Sequence, residues 1–257
     1  MMKQLMKAGA VWLLLMGKHF FKPHNKDGDS VFFDNDTAHH MVNVLRLSLD
    51  QDVLLCDGFG TDYTAKVTSV TRKPASITLT LLNSFPCHTE PPIPVTLYQS
   101  IPKGDKMDWI IEKCIEVGVS TIVPVYASRS EAKFKDPIKK MERYNRIAYS
   151  AASQSMRGVL PKVLLPMSFK DALRNDTALT LVAYEKEQGN TIKSTLCKIP
   201  PEPISVWIGP EGGFESTEIN CLSREKSAFS VSLGASILRT ETAGVVALAQ
   251  ILCIWGQ

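Results

Sequence analysis

Trp207-Ile208-Gly209-Pro210-Glu211-Gly212-Gly213-Phe214 lies between a β-prone run, Ile204 to Ile208, and a helix-like segment from about Thr217 to Lys226. The order is strand, glycine turn, helix. Glycines at 209, 212 and 213 permit positive φ and close backbone approach, so N–H groups can face a ligand without Cβ atoms in the way. A second turn repeats the arrangement. Phe229, Val231 and Leu233 alternate as on a strand, Gly234 interrupts them, and Ile237-Leu238-Arg239-Thr240-Glu241-Thr242-Ala243 leads into an apolar helix. Two strand ends are thus expected to converge on one pocket. Neither turn carries G-x-x-x-x-G-K-[ST], nor G-x-G-x-x-G with an acid at the ribose position, which argues against the usual nucleotide loops.

Upstream of these turns the pattern alternates: Val95 to Gln99, Met107 to Val117, Thr121 to Tyr126, Pro137 to Met156, Leu179 to Tyr184. Such alternation predicts an α/β fold with a mainly parallel sheet. Met107, Ile110, Ile111, Cys114 and Ile115 recur at helical spacing, with Asp108, Glu112, Lys113 and Glu116 on other faces, so that helix packs one side on the sheet. Asp136-Pro137 supplies an N-cap and first-turn residue for the next helix. The last helix, Ala243 to Trp255, is apolar nearly all round and is expected to be buried in a core, a subunit interface, or both.

Pro86, Pro91, Pro92 and Pro94 mark residues 86–94 as a linker, because proline lacks an N–H and disrupts helices and central strands. Before it, residues 18–85 show short strands at Val31 to Phe33, Val53 to Cys56, Tyr63 to Val70 and Ile77 to Leu82. Asp57-Gly58 and Phe59-Gly60 punctuate a hairpin. With one helix, Thr37 to Leu47, capped by Asp36 or Thr37, this reads as a small β-barrel. Residues 1–17 read as an extension and residues 95–257 as the second domain. Lys3, Lys7 and the apolar run Ala8 to Met16 imitate a signal peptide, but no A-x-A-like cleavage site follows and the run is too short to span a bilayer.

The 257 residues, 44% hydrophobic and 21% charged, describe a globular chain with room for two modest cores. Its net charge of +3 does not by itself indicate nucleic acid. The charge is concentrated, however: Arg129, Lys133, Lys135, Lys139, Lys140, Arg143 and Arg146 face only Glu131, Asp136 and Glu142. That stretch is a candidate phosphate-binding face, or else a solvated helix face. Six scattered cysteines at 56, 87, 114, 197, 221 and 253, with no C-x-x-C pair and no zinc spacing, read as reduced thiols, with Cys114 and Cys253 as core. The adjacent His39 and His40 have no second ligand pair, and no metal is expected.

Ile-Gly-Pro-Glu-Gly-Gly-Phe at 208–214, followed by Leu233-Gly234-x-x-Ile237-Leu238-Arg239-Thr240-Glu241-Thr242-Ala243, resembles the signature of the SPOUT methyltransferases, specifically the ribosomal RNA small-subunit methyltransferase E family. The resemblance implies a SPOUT domain with a C-terminal trefoil knot behind a PUA-like RNA-binding domain. It implies a cytoplasmic homodimer, without membrane or metal, that methylates N3 of a uridine in 16S rRNA of the small ribosomal subunit with S-adenosylmethionine. The cofactor residues it implies are Glu185, Gly209, Pro210, Glu211, Gly212, Gly213, Leu233, Gly234, Ile237, Leu238, Arg239, Thr240 and Thr242. Those implied for RNA are Arg46, in His39-His40-x-x-x-Val44-Leu45-Arg46, with Lys103, Lys106, Arg129, Arg143, Arg146, Gln154 and Arg157. Gln154 and Arg157, three apart, would present an amide and a guanidinium on one helix face. Arg157, Arg239 and Glu241 stand as catalytic candidates, with no general base assigned. A non-catalytic RNA-binding or assembly protein of the same fold is the competing reading; it keeps the basic helix and needs no cofactor.

Overall fold

The computed structural model describes residues 19–22, 28–130 and 134–256. The N-terminal extension, Lys133 and Glu131 lie outside the described residues. Two compact units divide at Glu90/Pro91, inside the proline cluster, and the short segment Met156–Val159 belongs with the first unit.

The first unit contains β1 (His19–Phe21), β2 (Ser30–Phe33), β3 (Asp52–Cys56), β4 (Thr61–Arg72) and β5 (Ala75–Pro86). They form one sheet in the order β1-β3-β4-β5-β2, antiparallel except for the parallel β1/β3 pair. Period-two burial explains the strands: Val31 and Phe33 point into the core while Ser30 and Phe32 are exposed. Among the described residues no ladder joins β1 to β2, so the expected barrel is not closed by hydrogen bonds there. Pro86 ends β5 opposite Thr61, a terminal position where a missing N–H is tolerated.

The expected helix differs from its sequence reading in two ways. Its cap is Asn35, not Asp36 or Thr37: extended at φ −109°, Asn35 accepts from the Thr37 and Ala38 N–H groups at 3.0 and 3.3 Å. Its regular part, α1 (Asp36–His39), widens into a π-helical turn, His40–Val44, that seats Met41 and Val42 in the core and stops short of Leu47.

The second unit runs β6 (Val95–Ser100), α2 (Lys106–Val117), β7 (Thr121–Tyr126), α3 (Pro137–Gln154), β8 (Lys162–Val163), β9 (Met167–Ser168), α4 (Phe169–Asn175), β10 (Leu179–Ala183), α5 (Ile192–Leu196), β11 (Ile204–Ile208), α6 (Ser216–Lys226), β12 (Phe229–Val231) and α7 (Thr240–Trp255). The sheet order is β12-β10-β11-β6-β7-β8, with β9 beside β7, and every pair is parallel. Strand β11 is buried throughout, as a central parallel strand must be. Trp207 stacks on Tyr98 with ring centroids 4.4 Å apart. Its indole N–H and the hydroxyls of Thr180 and Ser205 all donate to the buried carboxylate of Asp176, at 2.8, 3.0 and 2.6 Å. That network aligns β10 with β11, whose ends carry the site.

Asp136 caps α3 by accepting from the Lys139 N–H at 3.0 Å, with Pro137 in the first turn. Helix α7 buries Ala243, Gly244, Ala247, Leu248, Ile251 and Trp255; full burial of Leu248 and Ile251 contributes about 2 kcal/mol each. Only one face is covered, however, and Cys253, expected in the core, is exposed on the other. Cys114 is buried as expected.

Candidate cofactor site

The turns after β11 and β12 border one cavity of about 890 Å³, lined also by the loop after β10. All three loops leave the carboxyl ends of adjacent parallel strands, where open α/β sheets bind ligands. Eleven of the residues expected to hold a cofactor line it: Glu185, Gly209, Pro210, Glu211, Gly213, Leu233, Gly234, Ile237, Leu238, Arg239 and Thr240. Gly212 and Thr242 do not. Gly212 instead offers its carbonyl to Arg129 Nη1 at 2.6 Å, and Thr242 sits on α7 between Thr240 and Ala243, which both line the cavity.

The three glycines of the first turn serve different ends. Gly213 alone is left-handed, at φ +67°, and a Cβ there would come 2.9 Å from Glu185 Oε1. Gly209 has ordinary φ, but a Cβ would press to 3.1 Å against the Phe214 nitrogen. Its carbonyl accepts from Thr240 Oγ1 at 2.6 Å, and Thr240 in turn accepts from Gln99 Nε2 at 3.0 Å, tying the first turn to the start of α7. Arg239, extended at φ −66° and ψ 152°, is the N-cap of α7.

Lys106, expected to face RNA, lines the cavity. Its ammonium lies 2.8 Å from Glu211 Oε1 and 3.4 Å from Glu241 Oε2. Burial disfavours the ionised form of Glu211, but the Lys106 hydrogen bond and the N–H of Lys103, 3.1 Å away, outweigh it and hold the carboxyl below the usual range. Glu211's hydrogen bond, with further pull from Glu241, pushes Lys106 above the ordinary lysine value. Glu241 Oε2 is buried, and among the described residues it has no well-formed hydrogen bond beyond the ion pair with Lys106.

Arg157 corrects its sequence reading. Helix α3 ends at Gln154, and Met156 turns left-handed at φ +57°, so Arg157 shares no helix face with Gln154. Its side chain is only 3% exposed and forks onto Glu90, Nε to Oε1 at 2.9 Å and Nη2 to Oε2 at 2.8 Å. Glu90 also accepts from the N–H groups of Gly158 and Val159. In this structure the guanidinium is a tie between Glu90 and the 156–159 segment. Arg129 braces the first turn, and Arg143 pairs with Asp108. Arg46, Lys103, Arg146 and Gln154 are exposed.

The other residues lining the cavity were not singled out from sequence, chief among them Glu187, Gln188 and Thr191 after β10. The legible signal is Gly189-Asn190 following a strand: Glu187 accepts from both of their N–H groups, at 2.8 and 3.0 Å, and these bonds keep its carboxyl below the usual range. Helix α6 begins at Ser216, close to the expected start near Thr217, with Glu215 as its N-cap, whose N–H donates to Glu218 Oε2 at 2.9 Å.

With a parallel sheet, a cavity at its carboxyl edge and a sheet-rich first unit described, comparison with known proteins gives the class. Residues 89–252 match the RNA methyltransferase domain and residues 33–80 the RNA methyltransferase PUA domain. More narrowly, the chain belongs to the ribosomal RNA small subunit methyltransferase E family. It is 35% identical over 226 residues to that protein of Bacillus subtilis, covering 84% of this chain and 87% of the relative. The family member of Neisseria gonorrhoeae, solved bound to S-adenosyl methionine, superposes with a TM-score of 0.82 at 30% identity, covering 93% of this chain and 98% of that one. A Legionella pneumophila protein solved with the cofactor SAM gives 0.83 at 26% identity, over 92% and 97%.

Proposed function

We propose that the chain methylates N3 of one uridine in 16S rRNA of the small ribosomal subunit, using S-adenosylmethionine held between the loops after β10, β11 and β12. The observation carrying this reading is the cavity itself, bordered by both glycine turns and tied shut at one end by Thr240 and Gly209. Its lining suits a polyfunctional cofactor: Gly213 keeps the floor free of a Cβ, and Glu241 Oε2, only loosely paired with Lys106 at 3.4 Å, offers an acceptor to a ligand donor or cation.

When bound, the cofactor supplies an electrophilic methyl group on a sulfonium sulfur. The chain's own work is to bind, bend and align. Backbone of 209–213 and 233–238 forms the walls, while Lys106 holds Glu211 and Glu241 apart by pairing with both. Arg239, 83% exposed at the rim, is free to meet an RNA phosphate or the target base. The N3 proton leaves to a base that we do not assign; with Arg157 withdrawn, Glu241 is the remaining carboxylate candidate beside Arg239. Arg46, Lys103, Arg143 and Arg146 supply phosphate contacts. The C-terminal helix threads a trefoil knot, and the half-exposed apolar face of α7 meets a second copy in a cytoplasmic homodimer; Val246, Ala249 and Cys253 on that face support the dimer.

Calorimetry of S-adenosylmethionine against the folded chain, with ATP as comparison ligand, tests the first half, and mapping the methylated position in small subunits lacking the modification tests the second. Saturable binding of S-adenosylmethionine alone and a new N3-methyluridine are expected. A folded chain that binds no cofactor supports the non-catalytic RNA-binding reading instead.

A further inference from the structure

The first unit contains a cluster that the methyltransferase reading does not use. Strands β1, β3 and β4 bring His19, Cys56 and Asp62 together although 37 and 6 residues separate them in sequence, and their donor atoms all lie within 4.8 Å of one another. All three are buried: His19 is 3% exposed, and Cys56 and Asp62 are fully enclosed. Imidazole, thiol and carboxylate side by side away from water are costly unless something satisfies them. The chain itself does so incompletely. His19 Nε2 meets Asp62 Oδ1 at 3.3 Å, while among the described residues His19 Nδ1 and Asp62 Oδ2 have no well-formed hydrogen bond; the Cys56 and Cys87 thiols are the polar groups that approach Asp62. Two polar atoms so poorly satisfied within one enclosed pair are rare, because native interiors pair nearly all such groups.

We propose that His19, Cys56 and Asp62 form a structural site for a zinc-class divalent cation, which ties β1 to β3 and β4. The donor set favours that class: thiolate and imidazole select borderline-soft ions, and carboxylate completes many zinc sites. The spacing agrees, since a tetrahedral zinc ion holds its donors about 3.3–3.8 Å apart and the His19–Asp62 contact already falls there. A backbone N–H from Gly58, 3.2 Å from Cys56 Sγ, is the outer hydrogen bond that steadies a metal-bound thiolate. Cys87, whose thiol approaches Asp62 and would lie 2.3 Å from a Cβ on Gly158, is a candidate for a fourth donor.

Without metal the Cys56 thiol donates to the Gly158 carbonyl at 3.0 Å. Cation binding replaces that proton, which leaves to solvent, and exchanges the S–H···O bond for a metal–sulfur bond.

The test uses the full chain, purified without chelator or metal-affinity resin. Its zinc content is counted by elemental mass spectrometry, and the chelator-stripped protein is titrated with Co²⁺ while the near-ultraviolet thiolate-to-cobalt band is followed. The expected results are a saturable band in the unaltered chain, its loss in Cys56→Ser, and a tenfold or greater weakening in Asp62→Asn, about the cost of disturbing one ligand. Zinc added to the stripped protein should raise its unfolding temperature while its affinity for S-adenosylmethionine stays the same. Should Cys56→Ser fail to fold, the Asp62→Asn titration decides. No cobalt band in the unaltered chain, or a band that survives in both variants, overturns the site.

Discussion

The two glycine turns of the cavity look alike in sequence and differ in how they are held. The first is braced from several sides: Arg129 grips the Gly212 carbonyl, Lys106 and the Lys103 N–H grip Glu211, and Gly213 packs against Glu185. In the second turn nothing lies within 4 Å of where a Gly234 Cβ would be, and Ile237 is 85% exposed; the Ser232 and Gln250 side chains and the Asn190 carbonyl fasten its start. One wall is therefore built before the ligand arrives, and the other has room to close over it. A preorganised wall contributes affinity by lowering the ordering cost, whereas an open one leaves that cost to be met on binding.

Substituting the glycines breaks the comparison most directly. Gly213→Val adds both left-handed strain and a clash with the Glu185 carboxylate; at about 3 kcal/mol or more this weakens S-adenosylmethionine binding by over about a hundredfold. Gly234→Ala meets no atom and keeps only the strain of φ +144°, so a loss of about tenfold is expected. Calorimetry on both variants checks the order. Equal losses would mean that the second turn is as tightly packed in the bound protein as the first.

Removing the brace without touching a glycine has a smaller effect. Lys106→Met leaves Glu211 and Glu241 facing each other unneutralised, and about a fivefold loss of cofactor affinity is expected for so exposed a pair. The pH dependence should move with it. Glu211, depressed in the folded protein, contributes stability above its unfolded value that is lost as pH falls through the folded one. Lys106, raised, contributes below its unfolded value and loses that contribution as pH rises through the folded one. The pair thus supports the turn across neutral pH and fails at both extremes. In Lys106→Met the alkaline loss should vanish and the acid loss begin at higher pH; an unchanged affinity profile from acid to alkaline pH would show that the pair is idle.

Much of this architecture was legible because it repeats at short range. The period-two strands of the first unit, the one-sided stripe of α2 and the Asp136-Pro137 start of α3 each depend on neighbouring residues. The two turns were legible because Gly213 and Gly234 both sit at positive φ, a need that only glycine meets cheaply. What escaped depends on partners far away in sequence. Arg157 and Glu90 lie 67 residues apart, so an arginine near a helix end read as an RNA contact and catalytic candidate. Lys106, read as an RNA contact, reaches Glu211 across 105 residues and lines the cavity. Cys253 read as core because its helix is apolar all round, whereas a single chain covers one side of it. Hydropathy alone does not say which face of such a helix is covered.

Arg157 and Arg239, equal candidates by sequence, give the finest comparison. Arg239→Met removes an 83% exposed side chain with one distant contact, 4.0 Å from Glu241, so stability should change by no more than about 0.5 kcal/mol. Arg157→Met strands the Glu90 carboxylate, half-buried and held below its usual range because the Arg157 bonds and charge overcome burial, and should cost about 3 kcal/mol. Arg157→Met should not alter S-adenosylmethionine affinity more than about twofold, since Arg157 bonds Glu90 and does not line the cavity. Denaturant unfolding and single-turnover methylation separate them: Arg157→Met lowers the midpoint yet methylates at the normal rate while folded, and Arg239→Met keeps the midpoint and methylates slowly. A folded Arg157→Met that fails in single turnover would return that guanidinium to the reaction and make its pairing with Glu90 a resting arrangement rather than a structural tie.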